Sequence, residues 1–275
     1  MNIALIGYGK MGRLIESKAL ERGHRIIAAV EPYMQNSGSA AASGAPVYQT
    51  IAGAQALETA DIAVEFTRPD SAPDNIRLLA ERKIPVVCGT TGWYALLDQV
   101  SAGVRSAGSS LLWASNFSLG VNIFYRIAAY AARAFDPFPE YDVGGMETHH
   151  NKKADSPSGT AKTLVEKVLA AMTRKKRAAW DTLDGPPSAD TIHFPSLRTG
   201  SVPGVHALLF DSPADTVEIT HTARSREGFA AGALRAAEWL ANCPGPGQGA
   251  GKARAGVFTM EDALGEILQQ GGNLP

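Results

Sequence analysis

The sequence predicts an α/β protein: a first domain on a parallel sheet, then a second α+β domain on a largely antiparallel sheet. Two observations predict it. Over residues 1–116 short apolar runs alternate with helical patterns, whereas later strand-like runs follow one another without a helix between them. Strands separated by helices of about 10–15 residues are typical of βαβ units and a parallel sheet.

The first domain contains five predicted strands and three predicted helices. The strands are predicted at 3–7, 25–30, 62–67, 85–89 and 110–114. The helices are predicted at 10–22, 71–82 and 94–106. In the second helix Ile76, Leu79 and Ala80 share one stripe, and Pro73 suits a helix start.

From residue 119 the pattern changes. A helix is predicted over 121–134, and an extended run ends at His149 and His150. Strands follow at 205–210 and 216–222. In the latter strand, apolar or aromatic side chains at positions 217, 219 and 221 alternate with polar ones, the pattern of a sheet with one covered face.

The end of the chain is predicted to return to helices, at 229–241 and 260–269, with a Gly/Pro-rich loop at 244–251. We therefore expect a first domain of residues 1–118 completed by 226–275, and a second domain of residues 119–225. The basic run 174–177 is predicted to be a solvated helix end, since cations favour helix C-termini.

Composition excludes several classes of protein. The 26 Lys and Arg residues nearly balance the 27 Asp and Glu residues, so the basicity of a nucleic-acid-binding protein is absent. No run approaches the roughly 18–20 apolar residues of a membrane helix, and the N-terminus lacks the pattern of a secretory signal. Two cysteines, Cys88 and Cys243, favour a reducing compartment over a disulfide framework. We expect a cytoplasmic protein.

A glycine motif follows the first predicted strand and opens the first helix. Gly7, Gly9 and Gly12 form a GxGxxG, the turn that lets a pyrophosphate approach the backbone at a helix N-terminus. Glu31 lies 19 residues beyond, at the end of the second strand, where a carboxylate binds adenosine ribose hydroxyls. This order of elements predicts a Rossmann-like dinucleotide-binding domain.

Two further loops follow strands at the same expected edge of the sheet. They are Gly89-Thr90-Thr91-Gly92 and Ala114-Ser115-Asn116-Phe117. Ligands of open α/β sheets bind at the carboxyl ends of the strands, so both loops are expected to border the cofactor.

The densest polar segment runs from Glu147 to Ala161. His149, His150, Lys152 and Lys153 would form a cationic wall, and Ser158-Gly159-Thr160 opens a helix whose N-terminus suits a carboxylate or phosphate. Histidine also carries protons near neutral pH. A metal site is disfavoured, because adjacent strand residues point to opposite faces and no third ligand is spaced nearby.

Together these segments resemble the 4-hydroxy-tetrahydrodipicolinate (dihydrodipicolinate) reductase family. The segments that carry the resemblance are 7–12, 65–69, 89–92, 115–122 and 149–161. The likeness covers nearly the whole chain, and HHxxKxDxPSGTA is far more specific than the glycine motif. It implies a homotetramer assembled through the second domain, which reduces a cyclic dicarboxylate with NAD(P)H in the diaminopimelate route to lysine.

The resemblance also implies roles for individual residues. His149 would be the acid/base and Lys153 the proton donor, while the substrate's carboxylates would be bound by His150, Ser158, Gly159 and Thr160. The nicotinamide nucleotide would be held by Gly7, Tyr8, Gly9, Lys10, Met11, Gly12, Glu31, Gly89, Thr90, Thr91, Ala114, Ser115, Asn116 and Phe117.

Residue types near Glu31 also predict which dinucleotide is used. Glu31 would repel the 2′-phosphate of NADPH, and residues 32–36 contain no cation. The basic groups within reach are Lys10 and Arg13, so we expect NADH to be preferred and NADPH accepted. Two alternatives stay open: another reductase of a small acid, which HHxxK disfavours, and a catalytically silent dinucleotide sensor, which would not need His149 and Lys153.

Overall fold

The computed structural model describes residues 1–33, 40–242 and 249–270. They form two compact units: Met1–Ser118 together with the segment that starts at Glu227, and Leu119–Arg226. Within the described residues, no helix is both long and apolar enough to span a membrane. The predicted loop at 244–251 and Cys243 lie largely outside the described residues.

The described chain forms the following strands and α-helices. The strands are β1 (Asn2–Ile6), β2 (Arg25–Val30), β3 (Val47–Tyr48), β4 (Ile62–Glu65), β5 (Val86–Cys88), β6 (Ser110–Trp113), β7 (Asp142–His149), β8 (Arg177–Ala179), β9 (Thr191–His193), β10 (Ser196–Arg198), β11 (Val205–Asp211), β12 (Thr216–Thr222) and β13 (Gly256–Thr259). The helices are α1 (Lys10–Glu21), α2 (Ala72–Glu81), α3 (Leu97–Ser106), α4 (Leu119–Phe135), α5 (Gly159–Ala171), α6 (Glu227–Leu240) and α7 (Met260–Gln270).

The first unit is built on a seven-stranded parallel sheet in the order β13-β6-β5-β4-β1-β2-β3. The five strands predicted for residues 1–118 are confirmed, and so is the Rossmann-like architecture. β3 and β13 were not predicted. β3 has only two residues, and β13 runs directly into α7 without a turn signal between them.

The apolar runs in the sequence of the first unit are buried in its core. Every residue of β4 and β5 is buried, as expected for strands covered on both faces. The predicted stripe of α2 is confirmed, because Ile76, Leu79 and Ala80 are buried in the same core cluster. Pro73 lies in the first turn of that helix, where its missing N–H costs no intrahelical bond.

The second unit has a four-stranded sheet in the order β10-β7-β11-β12. β11 pairs antiparallel with β7 and β12, whereas β10 pairs parallel with β7, so the sheet is mixed and the largely antiparallel prediction holds only in part. Helices α4 and α5 contribute Phe124, Leu164 and Val168 to the core, which also contains Phe194 and Phe210.

Two predictions for the second unit were wrong in detail. The basic run is not a solvated helix end: α5 ends at Ala171, and Lys175 is buried with its ammonium donating to Asp142 and to two backbone carbonyls. In β12, Ile219 and His221 are half-buried as predicted, but Val217 is 41% exposed because it lies near the start of a sheet-edge strand.

Candidate active site

The glycine turn of the first unit contains two positions at which a Cβ atom would collide with the backbone. Gly7 has φ +90°, and a Cβ on it would lie 2.2 Å from the Phe66 carbonyl oxygen. A Cβ on Gly12 would lie 2.2 Å from the carbonyl oxygen of Gly7. Both glycines are therefore required for the chain to turn from β1 into α1 against the segment that follows β4.

Gly9 differs from the other two glycines, because a Cβ there would meet no atom within 4 Å. It is the N-cap of α1, and no side chain caps this helix end. An adjoining pocket of about 450 Å³ is lined by Gly9, Lys10, Met11, Phe66, Thr67, Pro69, Gly89, Thr90 and Thr91. An uncapped helix N-terminus beside an open glycine fits a dinucleotide pyrophosphate.

Glu31 lies at the end of β2 beside this turn. Its carboxylate accepts the Tyr8 backbone N–H at 3.0 Å and the Tyr33 N–H at 3.3 Å. The side chain of Tyr8 is itself buried and donates to Glu16, so only the backbone of Tyr8 serves the turn. Glu31 is thus fixed next to the glycine turn, where an adenosine ribose would bind.

Two arginines, one predicted and one not, contact the tyrosines whose backbone N–H groups bind Glu31. The Arg13 guanidinium lies over the Tyr8 ring, 5.3 Å from its centroid. Arg68, which sequence reasoning did not consider for this place, has a guanidinium nitrogen 3.5 Å from the Tyr33 hydroxyl. Arg68 also pairs with Asp70 at 3.3 Å, so part of its charge is already matched.

Phe66 and Thr67 organise the other predicted cofactor loops. Gly89 passes so close to the Phe66 ring that a Cβ would lie 2.1 Å from it. The Thr90 hydroxyl accepts the Thr67 backbone N–H at 2.8 Å, and Phe117 packs on Phe66 with ring centroids 6.0 Å apart.

Two other residues of the 114–117 loop make hydrogen bonds to β5 and to Ser118. The Ala114 N–H donates to the Cys88 carbonyl, and the Asn116 side chain accepts the Ser118 N–H. The two predicted loops are therefore brought together with the 66–67 segment, whose part in the site the sequence prediction left out.

In the second unit, β7 carries His149 and Glu147 on one face, since they are two residues apart. Glu147 is fully buried and His149 is 7% exposed. The His149 Nδ1 lies 3.3 Å from a Glu147 carboxylate oxygen, although the pair is not aligned as a hydrogen bond.

Glu147 is surrounded by donors that come from distant parts of the unit. It accepts from the Ser158 backbone N–H at 2.9 Å, from the Ser158 hydroxyl, from the Ser196 hydroxyl at 2.7 Å and from Arg198 at 2.9 Å. His206 Nε2 lies 3.4 Å away. Burial raises the pKa of Glu147, but the His206 contact and the hydrogen bonds from Ser158, Ser196 and Arg198 outweigh burial and hold the pKa well below its usual range.

The environment of His149 favours its neutral form. Burial lowers its pKa to about 4, and the cations Lys153 and Arg198, with His206, act in the same direction, whereas Glu147 opposes them. The His206 ring lies edge-on to His149 at 5.1 Å. His149 is therefore uncharged near neutral pH.

The other predicted catalytic and substrate residues follow β7. The Lys153 ammonium lies 2.7 Å from Asp155, and His150 is half-buried, with its carbonyl accepting the Lys153 N–H. Ser158 is buried and caps α5: its hydroxyl accepts the Ala161 N–H at 3.1 Å. The Ser158 hydroxyl thus serves the helix and Glu147.

Gly159 and Thr160, the two other predicted carboxylate binders, form the first turn of α5. Gly159 is exposed, and a Cβ on it would meet nothing within 4 Å; Thr160 is half-buried. The N-terminus of α5 therefore presents an open surface at which an anion would approach backbone N–H groups.

Three potential metal ligands do lie close together in space. Ligand atoms of Glu147, His149 and His206 lie within 4.8 Å of one another, which the sequence spacing did not reveal. The carboxylate oxygen that faces the two imidazoles already accepts the Ser158 hydroxyl, and the other oxygen accepts the Ser158 N–H, Ser196 and Arg198, so a cation would have to displace a donor.

The fold and these two sites define a dinucleotide-dependent oxidoreductase. The family model "Dihydrodipicolinate reductase, N-terminus" matches residues 1–117, and "Dihydrodipicolinate reductase, C-terminus" matches residues 120–264. The chain belongs to the dihydrodipicolinate reductase family, and the resemblance noted from the sequence is confirmed.

Individual relatives agree with this assignment. A 4-hydroxy-tetrahydrodipicolinate reductase of Christiangramia forsetii is 36% identical over 98% of this chain and 100% of its own length. One of Chromobacterium violaceum is 35% identical over 96% of this chain and 98% of its own. The solved structure of a dipicolinate-bound dihydrodipicolinate reductase from Paenisporosarcina sp. TG-14 shares the fold, with TM-score 0.75 at 20% identity, covering 96% of this chain and 99% of that one.

Proposed function

We propose that this chain reduces 4-hydroxy-tetrahydrodipicolinate to tetrahydrodipicolinate with NAD(P)H, in the diaminopimelate route of lysine biosynthesis. The observation that carries the proposal is the cluster at the end of β7: buried neutral His149, nearby Lys153 and the open N-terminus of α5. Such a site suits a dianionic cyclic imine that must receive a proton. The near full-length relatives of that name support the same substrate.

The coenzyme, Lys153 and His149 have different roles in the proposed reaction. Loss of the 4-hydroxyl with a hydrogen of the neighbouring ring carbon, as water, first leaves a conjugated cyclic imine. Bound NAD(P)H would supply hydride to that imine, and the resulting enamine then needs one proton. Lys153, a cation beside Asp155, is the proton donor. Neutral His149 is the acid/base, accepting a proton and returning it. The balance is one hydride and one proton added, with water lost from the 4-position.

The substrate's two carboxylates are assigned to the start of α5 and to His150. Thr160 contributes a hydroxyl and Gly159 an unobstructed backbone N–H at the positive end of the helix. Ser158 supports this place indirectly, because its hydroxyl is engaged with Glu147 and the Ala161 N–H.

For the coenzyme we propose NADH as the preferred form, with NADPH accepted. Glu31, fixed by two backbone N–H groups, retains lone pairs for ribose hydroxyls and would repel a 2′-phosphate. Arg68, beside the Tyr33 hydroxyl, would offset part of that repulsion, and its pairing with Asp70 weakens the offset.

We also propose a cytoplasmic homotetramer assembled through the second unit. On the sheet face opposite Glu147, Met146 and Leu197 are 51% and 57% exposed, an apolar surface that a second copy would cover. Light scattering coupled to gel filtration is expected to give four times the mass of the chain. A monomer would contradict this assembly.

The function is tested by following NAD(P)H oxidation with freshly generated 4-hydroxy-tetrahydrodipicolinate. Turnover dependent on that substrate is expected. If NAD(P)H is oxidised only with a different small acid, the protein is another reductase. Tight NADH binding without turnover of any substrate would indicate a sensor. The double variant His149→Ala, Lys153→Ala is the matched control for background oxidation.

A further inference from the structure

The two carboxylate oxygens of Glu147 have different surroundings. Oε1 accepts three donors: the Ser158 N–H at 2.9 Å, the Ser196 hydroxyl at 2.7 Å and Arg198 at 2.9 Å. Oε2 faces the Ser158 hydroxyl, His149 Nδ1 at 3.3 Å and His206 Nε2 at 3.4 Å. One oxygen thus binds the framework of the unit, and the other faces the two imidazoles.

The register of the sheet explains how these groups meet. Ser196 and His206 both pair with Glu147 across neighbouring strands, and Arg198 pairs with His149. The side chains therefore form two adjacent rows on one face of the sheet. Ser158, the cap of α5, ties that helix to the first row.

The two nitrogens of His149 are likewise distinct. Nδ1 is turned to Glu147, and Nε2 is turned to Gly204, where a Cβ would lie only 3.0 Å from it. A glycine at 204 leaves the space beside Nε2 open. A proton on Nδ1 would place a donor against Glu147 and leave Nε2 as a lone-pair acceptor at the open side.

We propose that Glu147 is a positioning residue that holds the ring proton of His149 on Nδ1, so that Nε2 is the nitrogen that exchanges protons during the reaction. The partner of one ring nitrogen sets the state of the other, as carboxylates do for histidines in other enzymes. The buried, ionised state of Glu147 fits this role, since four donors stabilise its charge. Alignment of the Glu147–His149 pair is expected to tighten when substrate binds.

Glu147→Gln gives this proposal a sharp test. Three donors converge on the Oε1 position, so the glutamine carbonyl must occupy it and the amide NH₂ must replace Oε2. That NH₂ would donate toward Nδ1, which then has to be an acceptor, and the ring proton moves to Nε2. The start of α5 keeps its acceptor for the Ser158 N–H, so substrate binding should change little.

The measurement is ¹⁵N NMR of histidine-labelled full-length protein at pH 7, with the His149 signals assigned through His149→Gln. The wild type should show the Nδ1–H tautomer and Glu147→Gln the Nε2–H tautomer. Glu147→Asp retains two acceptor oxygens and should keep the wild-type tautomer. An Nε2–H tautomer in the wild type overturns the proposal even if no variant folds, and so does an unchanged tautomer in a folded Glu147→Gln.

The proposal rests on the proposed function for its kinetic readout only. We expect Glu147→Gln to lose about 10- to 100-fold in kcat, with KM for the substrate changed by less than about threefold. Equal wild-type and Glu147→Gln kcat values would contradict the proposal. If the wild type shows no turnover, the proposed function fails while the tautomer still tests this inference.

Glu238→Gln is the matched control, because Glu238 is also buried and contacts a histidine and arginines outside the proposed site. Its carboxylate lies 2.9 Å from His24 and 2.7 Å from Arg22. The control should lose stability yet keep wild-type kcat and the wild-type His149 tautomer. A loss of kcat in Glu238→Gln as large as in Glu147→Gln would assign the effect to general destabilisation.

Discussion

The two sites of this molecule are built from different parts of the chain. In the first unit the proposed cofactor turn consists of backbone: Gly7 and Gly12 are required for their missing Cβ atoms, and Gly9 is the open N-cap of α1. In the second unit the groups proposed to handle protons are side chains, and the groups around Glu147 come from β10, from β11 and from the start of α5. A site made of backbone uses residues that are close together in sequence, so it can be recognised as a sequence motif. A site made of side chains collects residues from distant segments, so the sequence shows only some of them.

The largest expected effect falls on the side-chain site. His149→Ala and Lys153→Ala should each lower kcat by roughly 10²–10⁴-fold, because each removes a group that handles a proton in the transition state. Steady-state kinetics at saturating NADH measure this. Fluorescence titration with NADH serves as the control: the proposed cofactor turn lies in the other unit, so the affinity for NADH should stay unchanged. Near-wild-type turnover in both variants would remove these residues from the mechanism.

The backbone site can be broken in two distinct ways. Gly7→Ala should destabilise the fold by about 2–5 kcal/mol, since φ +90° disfavours a side chain and the Cβ would meet the Phe66 carbonyl. Gly9→Ala meets no neighbour, so its stability should stay within about 0.5 kcal/mol of wild type. It should instead raise the KM for NADH, because the methyl group would stand where the pyrophosphate approaches.

Thermal unfolding and cofactor titration of the two glycine variants separate these effects. If Gly9→Ala binds NADH as well as the wild type does, the open face of Gly9 is not the pyrophosphate site. If Gly7→Ala is as stable as the wild type, the turn tolerates a side chain, and the backbone argument for Gly7 fails.

Elements with a local sequence pattern could be predicted, and features that depend on distant segments could not. Hydrophobic periodicity predicted the strands and helices of the first unit, because each buried strand is a continuous apolar run bounded by turn residues. It missed β13, which has no turn before α7, and it misjudged Lys175, since no local pattern shows that Asp142 and two carbonyls receive its ammonium.

Some residues of the candidate site could likewise be predicted from the sequence, and others could not. His149, Lys153 and the start of α5 lie in one short segment and were singled out. Arg198 lies 51 residues from Glu147 in sequence and its contact exists only through the pairing of β10 with β7, which makes the sheet mixed. Arg68 near Tyr33 was missed for the same reason. Contacts between residues that are far apart in sequence can be identified only once the fold is known.

The coenzyme ratio tests whether the backbone site is also selective. Glu31 should make kcat/KM higher for NADH than for NADPH by roughly 5- to 150-fold, the equivalent of an unpaired charge contact of about 1–3 kcal/mol. Both ratios must be measured at one pH and ionic strength, since exposed charges are screened by salt. Arg68→Met should widen the preference, while Arg77→Met, an exposed arginine on α2 paired with Glu81, is the control. A clear NADPH preference would show that a cation dominates Glu31.

The smallest expected effect concerns a single hydroxyl at the start of α5. Thr160→Val keeps the shape of the side chain and removes its hydrogen-bonding oxygen. A neutral hydrogen bond contributes about 0.5–1.5 kcal/mol, so KM for the substrate should rise by roughly 2- to 12-fold. The carboxylate is bound equally in ground and transition states, and kcat should therefore stay near the wild-type value. Thr163→Val, in the same helix but beyond its first turn, should leave both constants unchanged. A fall in kcat with unchanged KM would instead place Thr160 with His149 and Lys153 among the groups that act on the reacting atoms.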